Sequence, residues 1–219
     1  MMRIVLLGPP GAGKGTQAHD LQERFGLGLI ATGDIFRMNV QNGTPLGVEA
    51  KSYMDAGELV PDDVVVRMVE EAIRHNDDGF ILDGFPRTVA QALALEKELA
   101  RSEKRLFAAL AFDLDEEIAV RRLAGRRTCT QCQRTYNVEF KPPAVEGVCD
   151  VCGGELVQRE DDREETVRHR IEVYNQGATA LHRFYWERGL LRVVHADADE
   201  DEVTERAVAA LKDRGPFED

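Results

Sequence analysis

The sequence predicts an α/β fold with a five-stranded parallel sheet flanked by helices, and three observations carry that prediction. Apolar runs near residues 4, 30, 81, 109 and 192 have the length of buried strands. The segments between them place apolar side chains at helical spacing, and helical crossovers return successive strands in one direction. Directly after the first run stands Gly8-Pro9-Pro10-Gly11-Ala12-Gly13-Lys14-Gly15-Thr16, a glycine loop that opens a helix.

Composition narrows the function. The 219 residues, 43% of them apolar, suffice for one α/β domain with an insertion or two. A formal charge of -12 argues against nucleic acid or an anionic membrane as a general partner, because binding them needs an excess of Lys and Arg. Basic residues must instead be focused locally. No apolar run approaches a membrane span, and the chain enters its first strand without a basic, apolar, small-residue leader, so a cytoplasmic location is expected.

Residues 4–7 form the first strand, and the helix after the glycine loop buries Ala18, Leu21 and Phe25. Without side chains in the way, consecutive backbone N–H groups converge on a phosphate. The helix N-terminus adds positive potential and Lys14 a mobile cation, so a nucleoside triphosphate is the implied ligand and the core is P-loop NTPase-like. Gly15 occupies the position where the general pattern has a Ser or Thr on magnesium, and Thr16 follows one place later.

Residues 29–31 read as a second strand ending at Thr32-Gly33-Asp34. Helical runs over 35–40, 46–55 and 62–74 follow, broken by Asn42-Gly43-Thr44-Pro45 and by residues 57–61. So much helix between two strands reads as an inserted flap, with Arg37 and Lys51 its notable cations. Residues 80–83 form a buried strand that ends in Asp83, where a phosphate-loop protein places the acid facing magnesium or its waters. Gly84-Phe85-Pro86-Arg87 presents an arginine from a tight turn, and the helix over 88–100 has Thr88 as N-cap and Gln91 in its first turn. Residues 106–112 make the fourth strand, and the helix over 115–124 leads into Arg121, Arg122, Arg126 and Arg127, a cluster that calls for an anionic partner.

Residues 128–156 break the pattern with prolines, glycines and all four cysteines. Cys129-x-x-Cys132 and Cys149-x-x-Cys152, sixteen residues apart, have the spacing of two knuckles that meet at one tetrahedral zinc. Four thiolates leave no open position for water, so a structural ion is expected, and metal binding would supply much of this small segment's folding free energy. Arg159-Glu160-Asp161-Asp162 closes the insertion. A long helix then carries Arg168 and Arg170 early and Phe184, Tyr185 and Trp186 late, the aromatics assigned to the core. Residues 190–194 form the last strand, and the acids of Asp199-Glu200-Asp201-Glu202 complement the dipole of a final helix as solvated surface. The five histidines are scattered, none at ligand spacing.

The glycine loop, Thr32-Gly33-Asp34, Asp83-Gly84-Phe85-Pro86-Arg87, Gly125-Arg126-Arg127 and Arg159 to Asp162 followed by Arg170 stand in the order and spacing of a known family. On those residues the chain resembles adenylate kinase, in the long-lid form with a zinc-bearing lid. The resemblance implies a core of residues 1–31, 61–124 and 163–219, an AMP-binding flap over 32–60 and a lid over 125–162. It implies that Lys14 and the loop amides of Gly11, Ala12, Gly13, Gly15 and Thr16 hold the ATP phosphates, with Arg122 against the adenine. Arg37 and Arg87 would grip the AMP phosphate, Arg126, Arg159 and Arg170 would surround the transferring group, and Thr32, Gly84 and Gln91 would meet AMP. Asp83 would orient magnesium through water. Two positions depart from the family pattern: Ile35-Phe36 replaces Met-Leu, and Glu58 places an acid near the flap's end.

The implied reaction is ATP plus AMP giving two ADP, with magnesium and a structural zinc as cofactors, ATP, AMP and ADP as the only partners, and a monomer. It requires no general base, because a phosphate monoester with a second pKa near about 6 is already largely dianionic at neutral pH. A kinase for UMP or CMP on the same scaffold is the alternative. A more distant one is a nucleotide-switched zinc-ribbon binding protein, which the acidic charge opposes.

Overall fold

The computed structural model describes residues 1–76 and 78–212, so residues 213–219 of the predicted core segment lie outside the described residues. The chain opens with β1 (Arg3–Leu7), α1 (Lys14–Phe25), β2 (Gly28–Ala31), α2 (Thr32–Gln41), α3 (Pro45–Ala56) and α4 (Asp62–Arg74). Then come β3 (Phe80–Asp83), α5 (Val89–Arg101), β4 (Ala108–Asp113) and α6 (Glu116–Ala124). Three short strands, β5 (Arg126–Cys129), β6 (Thr135–Asn137) and β7 (Leu156–Val157), precede a single 3-10 turn at Glu160–Asp162. The chain then runs through α7 (Glu164–Trp186), β8 (Leu191–His195) and α8 (Glu200–Lys212).

The main sheet is parallel, in the order β2-β3-β1-β4-β8. Its strands read as near-continuous apolar runs because helices cover both faces. Alternate side chains along each strand go to opposite faces. Val5, Leu7, Phe80 and Leu82 pack with α4, α5 and α7. Ile4, Leu6, Ile81 and Phe112 pack with α1 and α8. The order of strands reverses at β1, between β3 and β4, and a parallel sheet opens its ligand crevice at the carboxyl ends of such a switch point. The glycine loop leaves β1 there, and Asp83 ends β3 beside it, with Leu6 paired to Asp83 in the register.

Local chemistry explains most boundaries. Thr88 caps α5 by accepting from the Gln91 N–H at 3.1 Å, and Asp115 caps α6 through the N–H groups of Glu117 and Ile118. Thr44 caps α3, with Pro45 in its first turn. The late aromatics of α7 require a correction. Phe184 and Tyr185 are buried with their rings edge to face, whereas Trp186 is 66% exposed. One helical step turns about 100°, so Tyr185 continues the apolar face of Leu181 and Trp186 leaves it. Phe25, expected in the core, is half-buried at its rim. Arg126 to Val157 supply a second, antiparallel sheet, β6-β5-β7, which the cysteine spacing alone does not predict.

Candidate active site

The glycine loop lies flat against the structure because two of its residues have no side chain. Gly8 and Gly11 adopt φ of +141° and +86°, and a Cβ on either would stand 2.6 Å from the carbonyl oxygen of Phe112 or of Ala119. Gly13 caps α1 without a side-chain hydrogen bond, which leaves the first N–H groups of the helix for an external acceptor. Lys14 folds back over the loop and donates from Nζ to the carbonyls of Gly8, at 2.7 Å, and Pro9, at 2.9 Å. Burial lowers its pKa to about 8, with Asp83 opposing and Arg87, Arg170 and Arg126 adding to the fall. Burial likewise raises the Asp83 carboxyl, against the pull of Lys14 and Arg87. A Cβ at Gly15 would meet Asp83 Oδ2 at an ordinary 3.5 Å, so the residue in the usual magnesium-contact position faces this acid. Thr16, half-buried, lies one place further along α1.

Five arginines from separate elements gather beside that lysine. Arg37, on α2, pairs with Asp34 one turn earlier, and its Nε is buried with no hydrogen-bond partner among the described residues. Arg87 donates from Nε to the Gly84 carbonyl at 2.9 Å. Arg126, on β5, forks onto Asp162, with Nε 2.7 Å from Oδ2, and Asp162 is wholly buried. Arg159 donates from Nε to Thr128 Oγ1 at 2.9 Å, and Arg170, on α7, reaches Asp161 Oδ2 at 2.8 Å. Burial and mutual repulsion hold Arg87 and Arg170 below the usual guanidinium range and bring Arg159 down to about 9. Burial pushes the Asp161 carboxyl up, yet Arg170, Arg126, Arg159 and Arg37 outweigh it and hold it below its ordinary value. Six cations therefore face four carboxylates in a protein of charge -12. The excess of cations over carboxylates leaves the cluster net positive, which suits it to an anion.

A pocket opens from the cluster toward the helical segment. Polar residues Thr32, Arg37, Arg87, Gln91, Asp161 and Arg170 line it together with apolar Phe36, Met54, Leu59, Val60 and Val65. Phosphate-binding groups beside an apolar slot suit a phosphorylated molecule with a flat, weakly polar body. Phe36, one of the two departures, is buried in that apolar lining.

The four cysteine sulfurs lie within 4.8 Å of one another, with Cys129 Sγ 3.4 Å from Cys152 and Cys132 Sγ 3.5 Å from Cys149. A tetrahedral thiolate site with bonds of about 2.3 Å needs sulfurs a little under about 4 Å apart, and these positions fit it. A Cβ at Gly154 would stand 2.8 Å from Cys129 Sγ, so only glycine lets the second knuckle approach. Cys129, Tyr136, Cys149 and Leu156 are the whole buried cluster of this segment. Full burial of one apolar side chain contributes about 1.5–3 kcal/mol, whereas ordering each residue costs about 1–2 kcal/mol. Four side chains cannot offset that cost, so this segment is built to hold a thiophilic ion.

A family model described as adenylate kinase matches residues 6–190. The chain belongs to the adenylate kinase family. An adenylate kinase of Acidothermus cellulolyticus is 54% identical over 213 residues, 96% of this chain and 98% of its own length. One from Thermodesulfovibrio yellowstonii is 52% identical over 213 residues, 96% and 99% of the two chains. One from Clostridium botulinum is 50% identical over 204 residues, 92% and 94% of the two chains.

Within this adenylate kinase fold, not every cation singled out in the sequence joins the cluster. Of the four neighbouring arginines only Arg126 does. Arg121 pairs with Glu139, Arg127 donates to the backbone of Arg126 at 2.8 Å, and Arg122 donates to the Ala198 carbonyl at 3.1 Å. Lys51 pairs with Asp55 on the surface of α3. Glu200, in the acidic run at the start of α8, accepts both hydrogen bonds of Lys141 at 2.7 Å and so ties the cysteine segment to the core. The acids that hold the arginines, Asp34, Asp161 and Asp162, went unassigned in the sequence. Only Asp34, one helical turn before Arg37, carried a local signal, whereas Asp161 and Asp162 pair with Arg170 and Arg126, 9 and 36 positions away.

Glu58, the other departure, accepts from His169 Nε2–H at 2.6 Å, which joins the chain after α3 to α7. That hydrogen bond, with Glu172 assisting and burial opposing, raises the His169 pKa. A raised histidine pKa means that the charged pair holds below the ordinary value near about 6.5 and is lost as pH climbs through the raised one. Glu58→Gln is expected to return the His169 titration, read by NMR, toward that ordinary value. An unchanged midpoint would exclude the pair in solution.

Proposed function

We propose that the protein transfers the terminal phosphoryl group of MgATP to AMP, reversibly, giving two ADP. The observation that carries this reading is the convergence of Lys14, Arg37, Arg87, Arg126, Arg159 and Arg170 between the glycine loop and the apolar pocket. The barrier to the reaction is the approach of two polyanions in line, and convergent fixed cations lower it by positioning and charge neutralisation.

In this reading the loop amides from Gly11 to Thr16 and Lys14 hold the ATP phosphates, and Arg122 lies by the adenine. Arg37 and Arg87 hold the AMP phosphate, with Thr32, Gly84 and Gln91 by its base and sugar. Arg126, Arg159 and Arg170 surround the group in transit. No proton acceptor is required, and Asp161, one of the carboxylates among these cations, is held in its charged form as a brace for Arg170. Arginine suits the task because its planar fork holds two phosphate oxygens at once.

Magnesium arrives with ATP. Asp83, a half-buried carboxylate beside Lys14 and Gly15, fits a role in orienting its waters, and the ion when bound neutralises phosphate charge. Residues 32–60 act as the flap over AMP and residues 125–162 as the lid over ATP, with residues 1–31, 61–124 and 163–219 as the core. Support for the lid comes from its separate sheet and its separate buried cluster. Zinc at Cys129, Cys132, Cys149 and Cys152 would keep that lid rigid. Closure of the adenylate kinase lid is a known case of excluding water from such a site.

Thiols poised for a metal, in place of disulfides, fit a reducing cytoplasm, and among the described residues no helix is long and apolar enough to cross a membrane. A monomer completes the reading, to be checked by size exclusion. The deciding experiment mixes the protein with magnesium, ATP and, separately, AMP, UMP or CMP, and follows diphosphate formation. AMP is expected to be consumed far faster than the pyrimidine nucleotides. Equal or faster turnover of UMP or CMP would overturn the choice of substrate.

A further inference from the structure

Gln91 carries two structural hydrogen bonds that point its amide in one direction. Its Nε2 donates to Asp62 Oδ1 at 2.6 Å, and its Oε1 accepts from the Arg87 backbone N–H at 2.7 Å. The residue is 1% exposed yet lines the pocket between the helical segment and the cluster. Asp62, from the first turn of α4, also accepts from Thr88 Oγ1 at 2.8 Å through its other oxygen. Thr88 Oγ1 in turn accepts from the Gln91 backbone N–H at 3.1 Å.

A glutamine amide is nearly symmetric in shape and reverses by rotation about its last bond. Here reversal is blocked by chemistry. A carboxylate only accepts and a backbone N–H only donates. Reversal would set C=O against the Asp62 carboxylate and NH2 against the Arg87 N–H, in a buried place where water cannot replace the lost partners.

We propose that Asp62 is a specificity-determining positioning residue: by locking the Gln91 amide it selects 6-aminopurine over 6-oxopurine monophosphates. The inference rests on the reading that Gln91 meets the AMP base. The Gln91 amide has two donors and two acceptor positions, and the protein uses one of each. The free pair, one N–H and one lone pair, matches the donor and acceptor that adenine presents at its 6-amino group and N1. Hypoxanthine reverses that pair, with an acceptor at position 6 and a donor at N1, so binding it requires the reversed amide. The choice of base is thereby made by a residue 29 positions away in sequence from Gln91.

The experiment compares kcat/KM for AMP and for IMP in the wild type, Asp62→Asn, Asp62→Glu and Gln91→Ala, at saturating MgATP. Asparagine both donates and accepts, so Asp62→Asn removes the stronger, charged constraint on the amide and leaves only the Arg87 N–H opposing its reversal. Its AMP-to-IMP ratio is expected to fall by roughly 10- to 100-fold, mostly through KM, with kcat for AMP held within a few-fold. Asp62→Glu keeps acceptor-only chemistry and should retain the wild-type preference, which a merely structural role would not predict. An unchanged ratio in Asp62→Asn, with AMP binding weakened in Gln91→Ala, overturns the lock alone. Unchanged AMP kinetics in Gln91→Ala instead overturn the reading on which it rests. Should Asp62→Asn fail to fold, the wild-type amide direction is read by NMR: a through-hydrogen-bond coupling from the Arg87 backbone nitrogen to the Gln91 side-chain carbonyl carbon is expected, because only the unreversed amide offers that acceptor, and its absence overturns the proposal.

Discussion

Lys14→Ala is expected to reduce kcat/KM for ATP and AMP on the order of a thousand-fold while the fold stays intact, a loss comparable to removing a principal charge-stabilising group from a phosphoryl or acyl transfer site. The lysine's hydrogen bonds go to two loop carbonyls, so its removal leaves no core contact behind. The free protein in fact holds this cation at a cost, since burial brings its pKa down to about 8. The native chain then binds fewer protons than the unfolded chain between that value and the ordinary lysine value near about 10.4, so its stability rises with pH across that window. Below it the full cost of the buried charge is present. At pH about 7 the alanine variant should accordingly melt at the same temperature as the parent or above it. In the parent, kcat/KM for ATP should decline as pH passes about 8, because the unliganded enzyme loses the charge that greets the phosphates. Turnover within tenfold of the parent, in a folded variant, would remove Lys14 from the mechanism.

Cys129→Ser is expected to have the largest effect on stability, and to confine it to one segment. Apparent binding free energies for structural zinc in small domains are about 10–16 kcal/mol, far above what the four buried side chains around Cys129 contribute. The variant should hold less metal, and hydrogen exchange should show residues 126–157 losing protection while the β1 and β4 strands keep theirs. Heating should then produce an early partial transition ahead of the main one. Some activity should persist at low temperature, because Lys14, Arg37, Arg87 and Arg170 lie outside that segment. Equal metal content and unchanged protection across residues 126–157 would show that the segment folds without the ion.

Both effects follow from features that were readable in the chain. Glycines at 8, 11 and 13 with Lys14, and two Cys-x-x-Cys pairs, are local patterns whose chemistry depends on a few neighbouring residues. Strands and helix starts were legible for the same reason. The acid partners of the arginines were not, apart from Asp34 one turn before Arg37, and neither was the fate of the four-arginine cluster. Whether Arg122 meets Ala198 or Arg121 meets Glu139 depends on contacts 76 and 18 residues apart, which no local pattern encodes. Trp186 shows the same limit within one helix: its type favours burial, and the direction of a single helical step decides against it.

By itself, then, the sequence determined the parallel α/β core, the phosphate loop at its edge and the metal-binding character of four thiols, because each arises from periodicity or spacing within a short stretch. Tertiary structure alone decided the strand order, which cations face one another, and how Gln91 is wired through Asp62 to α4. Those outcomes are set by charge compensation and hydrogen-bond direction between elements far apart in the chain, and such terms exist only once packing has brought the elements together.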